Sequence, residues 1–261
     1  MTLVDSHCHL NYEGLVERQD EVLAAARGRG VGAFLNISTR QREWDAIIAT
    51  AERNDDVWAT VGVHPHEADQ HPDLGAAALI EASAHPKVIG IGECGLDYYY
   101  DKSDRGAQKA RFEAHIEASR ETGLPLIIHT RDAEEDTAQI LEAAAKRNGG
   151  QVRAVLHCFT GSRALAEKGM ELGCYVSMSG IVTFKNARDL QETAKALPID
   201  RLLVETDSPF LAPVPNRGKT CEPAFVADTA AFLSELRGED PAELARATTD
   251  NFYALFGKAR R

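Results

Sequence analysis

Two hydrophobic patterns alternate along the chain. Short, almost uninterrupted apolar runs occupy Leu3 to Asp5, Ala33 to Ile37, Trp58 to Val63, Val88 to Ile91, Leu126 to Ile128, Ala154 to Leu156, Cys174 to Met178 and Leu202 to Val204. Runs this short, rich in Val, Ile and Leu, predict strands covered on both faces. Between them, Glu17 to Arg29, Arg42 to Arg53, Ala107 to Thr122, Ala133 to Arg147 and Ala187 to Ala196 place apolar residues at helical spacing among Ala, Glu and Arg. Gly30, Gly123, Gly149 and Gly173 stand where those helices stop, the place for a left-handed cap. Eight strands separated by helices predict an α/β fold, with a closed (β/α)8 TIM barrel as the first expectation and a doubly wound open sheet as its competitor. Pro223 to Leu236 and Pro241 to Phe256 are expected to complete the barrel's outer layer. With no linker, repeat or low-complexity stretch in view, residues 1–261 are expected to form a single domain.

Composition narrows the class. At 44% hydrophobic and 26% charged residues, the chain is an ordinary globular protein with ample material for a core. Its five cysteines, at 8, 94, 158, 174 and 221, include no C-x-x-C pair, which excludes a disulfide or zinc-ribbon framework and fits a reducing compartment. The opening Met-Thr-Leu-Val-Asp-Ser-His lacks a basic, then apolar leader, and no run approaches the roughly 20 apolar residues of a membrane span. A cytoplasmic protein with no membrane partner and no obligate protein partner is expected. The net charge of −11 repels long nucleic acid, so a polyanion would have to be held locally, and bound divalent cations would supply that local positive charge.

What ends each apolar run carries the chemistry. His7 and His9 follow the first, His64 the third, Glu93 the fourth, His129 the fifth, His157 the sixth, and Glu205 and Asp207 the eighth. A parallel barrel gathers these ends on one rim, where active sites of that fold are built. Taken singly, each His reads as a hydrogen-bonded loop residue and each carboxylate as a solvated charge. Together, His7, His9, Glu93, His129, His157 and Asp207 read as a metal site, because so many buried polar groups would otherwise be costly. His7 and His9, two apart in an extended segment, point to one side and turn Cys8 to the other. Six ligands exceed one tetrahedral shell and suffice for two divalent ions sharing a bridging carboxylate, whether magnesium, manganese or zinc. Gly90-Ile-Gly92-Glu-Cys-Gly95 matches the dinucleotide fingerprint and is rejected, because Glu93 would sit in the turn meant for a pyrophosphate and no helix opens after it. No G-x-S-x-G or P-loop pattern is present.

These residues, as an ordered set spanning nearly the whole chain, resemble the TatD family of metal-dependent deoxyribonucleases. The resemblance rests on Asp5-Ser-His-Cys-His-Leu10, Gly62-Val-His-Pro65, Gly92-Glu-Cys-Gly-Leu-Asp97, His129-Thr-Arg131, His157-Cys-Phe-Thr-Gly161 and Glu205-Thr-Asp-Ser-Pro209. It implies a TIM barrel in which His7, His9 and Asp207 hold one ion, His129 and His157 a second, and Glu93 bridges both. The loop Asn216-Arg-Gly-Lys-Thr-Cys-Glu-Pro223 is similar to the family's Arg-Gly-Lys loop, with Cys221 where the family commonly has Asn. The implied activity is two-metal hydrolysis of DNA phosphodiesters, exonucleolytic, acting on ends or single strands, with Glu93 and Asp207 as the catalytic pair. His64 and Glu205 are expected to steer substrate or brace a ligand from behind. Arg131, Arg217 and Lys219 are candidates for flanking phosphates, or else solvated charges. The alternative is a small-molecule amidohydrolase or lactonase on the same barrel. That group often bridges its metals with a modified lysine, whereas this chain offers Glu93, with Lys87 displaced to the start of strand four.

Overall fold

A computed structural model describes residues 2–260. Eight strands run in chain order: β1 (Leu3–Cys8), β2 (Val31–Asn36), β3 (Val57–Val61), β4 (Val88–Asp97), β5 (Leu126–Arg131), β6 (Ala154–Leu156), β7 (Tyr175–Met178) and β8 (Leu202–Val204). Each pairs in parallel with the next. The ring closes where β8 runs on beside β1: Asp207 N–H donates to the His7 carbonyl (2.9 Å), and His9 N–H to that of Ser208 (2.8 Å). The closed barrel is thus the outcome, and the open sheet is excluded.

Helices α1 (Gln19–Gly28), α2 (Trp44–Glu52), α3 (Ala76–Ser83), α4 (Arg105–Thr122), α5 (Glu134–Arg147), α6 (Arg163–Glu171), α7 (Arg188–Ala196) and α8 (Val226–Arg237) lie between and after the strands. Their ends follow local chemistry. The Asp104 carboxylate accepts from Ala107 N–H to start α4, and Gly123, at φ 71°, ends it in the left-handed conformation. Among the described residues no helix is long and apolar enough to cross a membrane.

Two apolar layers result. The larger lies between strands and helices. The smaller fills the barrel's lower interior with Val4, Leu35, Ile89, Ile127, Val155 and Leu203, and is closed by Phe252 and Phe256 of α9 (Pro241–Leu255) and the residue after it. The last helix therefore caps the floor, where the sequence reading had it in the outer layer. Asn251 fixes it there by donating to the carbonyls of Ile199 (2.7 Å) and Leu202 (2.8 Å).

Above that floor the interior turns polar. On β1, Val4 faces the interior layer and Cys8 the outer one, although a strict period of two would give them the same face. A register shift against β2 between Asp5 and Cys8 reverses the alternation, so His7 and His9 reach the interior. Three strands also run further than their apolar runs: His7, Glu93 and His129 lie within β1, β4 and β5. The hydrophobic pattern stopped short because the barrel's filling changes from hydrocarbon to imidazole and carboxylate at that level.

Candidate metal centre

Glu93 stands at the middle of the upper interior, almost fully buried. Its approach depends on missing side chains. A Cβ on Gly62 would overlap the Gly92 backbone, and one on Gly95, at φ 124°, would overlap the His129 carbonyl oxygen. The two carboxylate oxygens face different partners. Oε2 lies 3.5 Å from His7 Nε2 and 3.8 Å from His9 Nε2. Oε1 lies 2.8 Å from His157 Nε2, 3.3 Å from His64 Nε2 and 3.4 Å from His129 Nδ1. Burial alone would raise this carboxyl, but the imidazoles packed around it, His157 foremost, hold it well below the usual range.

Asp207 completes the Oε2 group, its Oδ1 lying 3.5 Å from His7 Nε2 and 3.3 Å from His9 Nε2. The two imidazole nitrogens are themselves 3.2 Å apart. Metal–ligand bonds of about 2.0–2.2 Å in a tetrahedron separate the ligands by about 3.3–3.6 Å, close to the spacing of His7, His9 and Asp207, with Glu93 Oε2 beside the two imidazoles. The Oε1 group has a different sign of the same chemistry. Asp97 Oδ2 lies 2.9 Å from His129 Nε2, which selects the tautomer protonated there and turns the Nδ1 lone pair toward Glu93. Two electron-rich atoms facing each other is an arrangement that a cation resolves. His7, His9 and Asp207 form one cluster able to hold a metal, and His64, Glu93 and His129 another. The residues present therefore fit divalent cations.

Several of the candidate ligands are braced from behind, whereas His7 Nδ1 is buried without a partner. Glu205, fully buried, lies 3.3 Å from His157 Nδ1 and accepts from Cys158 N–H (2.8 Å). Burial would lower the pKa of His157, but Glu93 and Glu205 lift it well above its ordinary value. Asp5, pushed up to about 8 by burial, accepts from the hydroxyl (2.6 Å) and N–H (2.9 Å) of Thr206 and so holds the turn that carries Asp207. Burial also pulls His64 down to about 4, leaving it a neutral imidazole near neutral pH.

All six candidate ligands thus converge, and His64 joins them more closely than a substrate-steering role requires. A cavity of about 660 Å³ opens above them, lined also by Arg131, Tyr12 and Phe210. Arg217 and Lys219 lie elsewhere: Arg217 stacks 3.7 Å from the Phe184 ring centroid, and Lys219 Nζ reaches Asn216 Oδ1 at 3.3 Å. Neither borders the cavity. Cys8 and Cys94 turn their thiols to the carbonyls of Leu35 and Ile127, and Cys221 is buried beneath the Thr206 carbonyl, away from the ligand atoms. Lys87 donates to the carbonyls of Asn54, Asp55 and Val57 at the opposite end of the barrel. The rejected glycine fingerprint is a continuous buried strand.

Asp97, although it ends one of the motifs, was not among the site residues expected from the sequence, and neither were His66 and Tyr12. His66 Nε2 lies 2.9 Å from Asp97 Oδ2, so one carboxylate serves two imidazoles. The available clue was alternation: Glu93, Gly95 and Asp97 share one face of β4 if the strand continues past Ile91.

A parallel eight-stranded barrel with buried imidazoles and carboxylates gathered at the carboxyl ends of its strands is the architecture expected of a metal-dependent hydrolase. The chain belongs to the TatD family: the family profile described as TatD related DNase matches residues 4–257. It is 45% identical over 259 residues to the uncharacterized metal-dependent hydrolase YcfH of Escherichia coli strain K12, covering 98% of this chain and 96% of that one. It is 34% identical over 260 residues to the 3'-5' ssDNA/RNA exonuclease TatD of Citrobacter rodentium, with 98% of each covered. The crystal structure of YJJV, a TATD homolog from Escherichia coli K12, superposes with a TM-score of 0.91 at 29% identity and 98% coverage of both chains.

Proposed function

We propose that this protein is a nuclease that hydrolyses phosphodiester bonds at the ends of single-stranded DNA, using two divalent ions. The carrying observation is the division of Glu93, with Oε2 toward His7 and His9 and Oε1 toward His64, His129 and His157. In this reading His7, His9 and Asp207 would hold one ion, His129 and His157 the other with His64 beside them, and Glu93, which faces both groups, would serve each. Nitrogen and oxygen donors together suit zinc or manganese better than calcium. When bound, such ions supply positive charge for a phosphate and acidify water.

The chain's own groups then have separate tasks. Asp207, at the cavity wall and partly exposed, accepts the proton of a water approaching phosphorus. Glu205 keeps the His157 ring oriented, and Asp97 does the same for His129. Arg131, on the cavity wall, donates to a phosphate oxygen of the strand. The Citrobacter relative's named activity on single strands supports the substrate class. The remoteness of Lys87 speaks against the amide- and lactone-hydrolysing alternative that bridges its metals through lysine.

The test is digestion of end-labelled single- and double-stranded oligonucleotides with and without chelator, alongside elemental analysis. Metal-dependent shortening from an end is expected, with Glu93→Gln reducing the rate by at least 100-fold. Intact single strands under saturating metal, or a Glu93→Gln preparation as active as wild type, would overturn the proposal. Faster turnover of an amide or lactone would transfer it to the alternative.

A further inference from the structure

The two sides of the cavity differ in kind. In an eight-stranded ring, β1 and β5 are diametrically opposed. On the β1 side, the Tyr12 ring stacks on His9, with centroids 4.6 Å apart and planes at 20°, and its hydroxyl is 2.6 Å from Thr39 Oγ1. Phe210 stands edge-on to Tyr12 at 6.0 Å and 84°. Its position is fixed, because Phe210 N–H donates to the Asp207 carbonyl (3.0 Å) in the turn that presents Asp207. Yet the side chain is 49% exposed. A large apolar ring at the mouth of a site, its backbone anchored and its side chain open to solvent, is a platform for a flat partner.

On the β5 side the wall is cationic. The Arg131 guanidinium lies 4.3 Å from the Tyr99 ring centroid and 4.9 Å from that of Tyr100, and Lys102 Nζ is 5.6 Å from Tyr100. Among the described residues neither Arg131 nor Lys102 has a carboxylate partner. Arg40, also on the cavity wall, is by contrast neutralised by Glu43 (2.9 Å) and Glu67 (2.7 Å). The donors of Arg131 are unspent.

We infer that the cavity brackets the end of one nucleic-acid strand, with the terminal nucleobase stacked on Phe210 and the neighbouring phosphate held by Arg131. This rests on the nuclease reading and assigns each half of the substrate to a wall. Size agrees, since about 660 Å³ takes only one or two nucleotide units. Stacking agrees too, because bases inside a duplex have both faces occupied, whereas the last base of a strand leaves one face open. The net charge of −11 repels the remaining strand, so recognition has to be concentrated at the end.

Two measurements on manganese-loaded protein test this. The first is fluorescence titration with the 5'-monophosphate of 2-aminopurine deoxyribonucleoside, whose emission is quenched on stacking. The second is kcat/KM on oligonucleotides ending in a normal or an abasic residue. Wild type and Phe210→Trp are expected to quench the nucleotide and to favour the base-bearing end about tenfold. Phe210→Ala is expected to lose both quench and preference, while Arg131→Gln slows both substrates equally and keeps the preference. A Phe210→Ala protein that still quenches and still discriminates, or a wild type that does neither, would overturn the inference while strand cleavage continues. Quenching without cleavage of any strand would instead remove the nuclease reading and leave the stacking seat standing.

Discussion

Asp97 shows how much of the centre depends on a residue that touches no candidate ion. Its Oδ2 lies 2.9 Å from both His66 and His129, while Oδ1 accepts the N–H groups of Tyr99 (3.1 Å) and Tyr100 (2.8 Å). Burial would raise such a carboxyl, but the bonds from His129, His66 and Tyr100 hold it far below its ordinary range. Asp97→Asn keeps the shape but replaces one acceptor with a donor, so the His129 tautomer is no longer fixed. A loss of about 10–100-fold in metal affinity is expected, read by competition with a chromophoric chelator. Native circular dichroism with unchanged affinity would remove the orienting role. The same carboxylate links the tyrosines of the cationic wall to the ligand array, so the substitution is also expected to disturb Arg131.

At the scale of elements, α4 is tied to the end of β3 by a single buried imidazole. Val63 N–H donates to His115 Nε2 (3.0 Å), and His115 Nδ1 donates to the Arg111 carbonyl (2.7 Å). Residue 63 immediately precedes His64, so this contact sets where the His64 imidazole emerges. Burial pulls His115 from 6.5 to about 4. Above pH 6.5 the ring is neutral folded and unfolded; as pH falls toward 4 the unfolded chain takes up the proton first, and stability declines by about 3 kcal/mol across that window. His115→Gln is expected to lack this part of the acid dependence, measured as urea midpoints between pH 7 and 4. Parallel curves for the two proteins would show that His115 does not titrate as described.

The elements also show why some of this was legible in sequence and some was not. All eight apolar runs became strands, because a strand covered on both faces must be apolar along its length. His7 and His9 were legible as a pair since alternation is a local property of the backbone. Asp97 was not, because Gly95 and Glu93 interrupt the apolar pattern exactly where the strand continues. Phe210 and Tyr12 were invisible for another reason: an aromatic on a loop reads as core or as surface until the fold places it beside a ligand. Arg217 and Lys219 sit on a loop whose path no local pattern fixes.

For the whole molecule, charge and function pull in opposite directions. With a net charge of −11, the molecule repels a polyanion as a whole, and of the cations lining the cavity Arg131 and Lys102 are those without a carboxylate partner among the described residues. Each neutralised phosphate of a single strand contributes about 0.7 to the slope of log affinity against log salt. A slope of magnitude below about 2 is therefore expected for oligonucleotide KM between 50 and 200 mM salt. A steep slope would mean a phosphate-tracking surface outside the cavity.

The floor of the barrel has a consequence for the order of biosynthesis. Every group of the candidate centre is in the chain once Asp207 is made, but Phe252 and Phe256, which seal the apolar interior beneath it, follow later in the order of synthesis. Until they arrive, Ile89, Ile127, Val155 and Leu203 face an open base, and a chain interrupted before Pro241 carries a sticky, unsealed barrel. The polypeptide thus gains a settled interior beneath the rim of the candidate centre only once α9 has been made, after every residue of that rim.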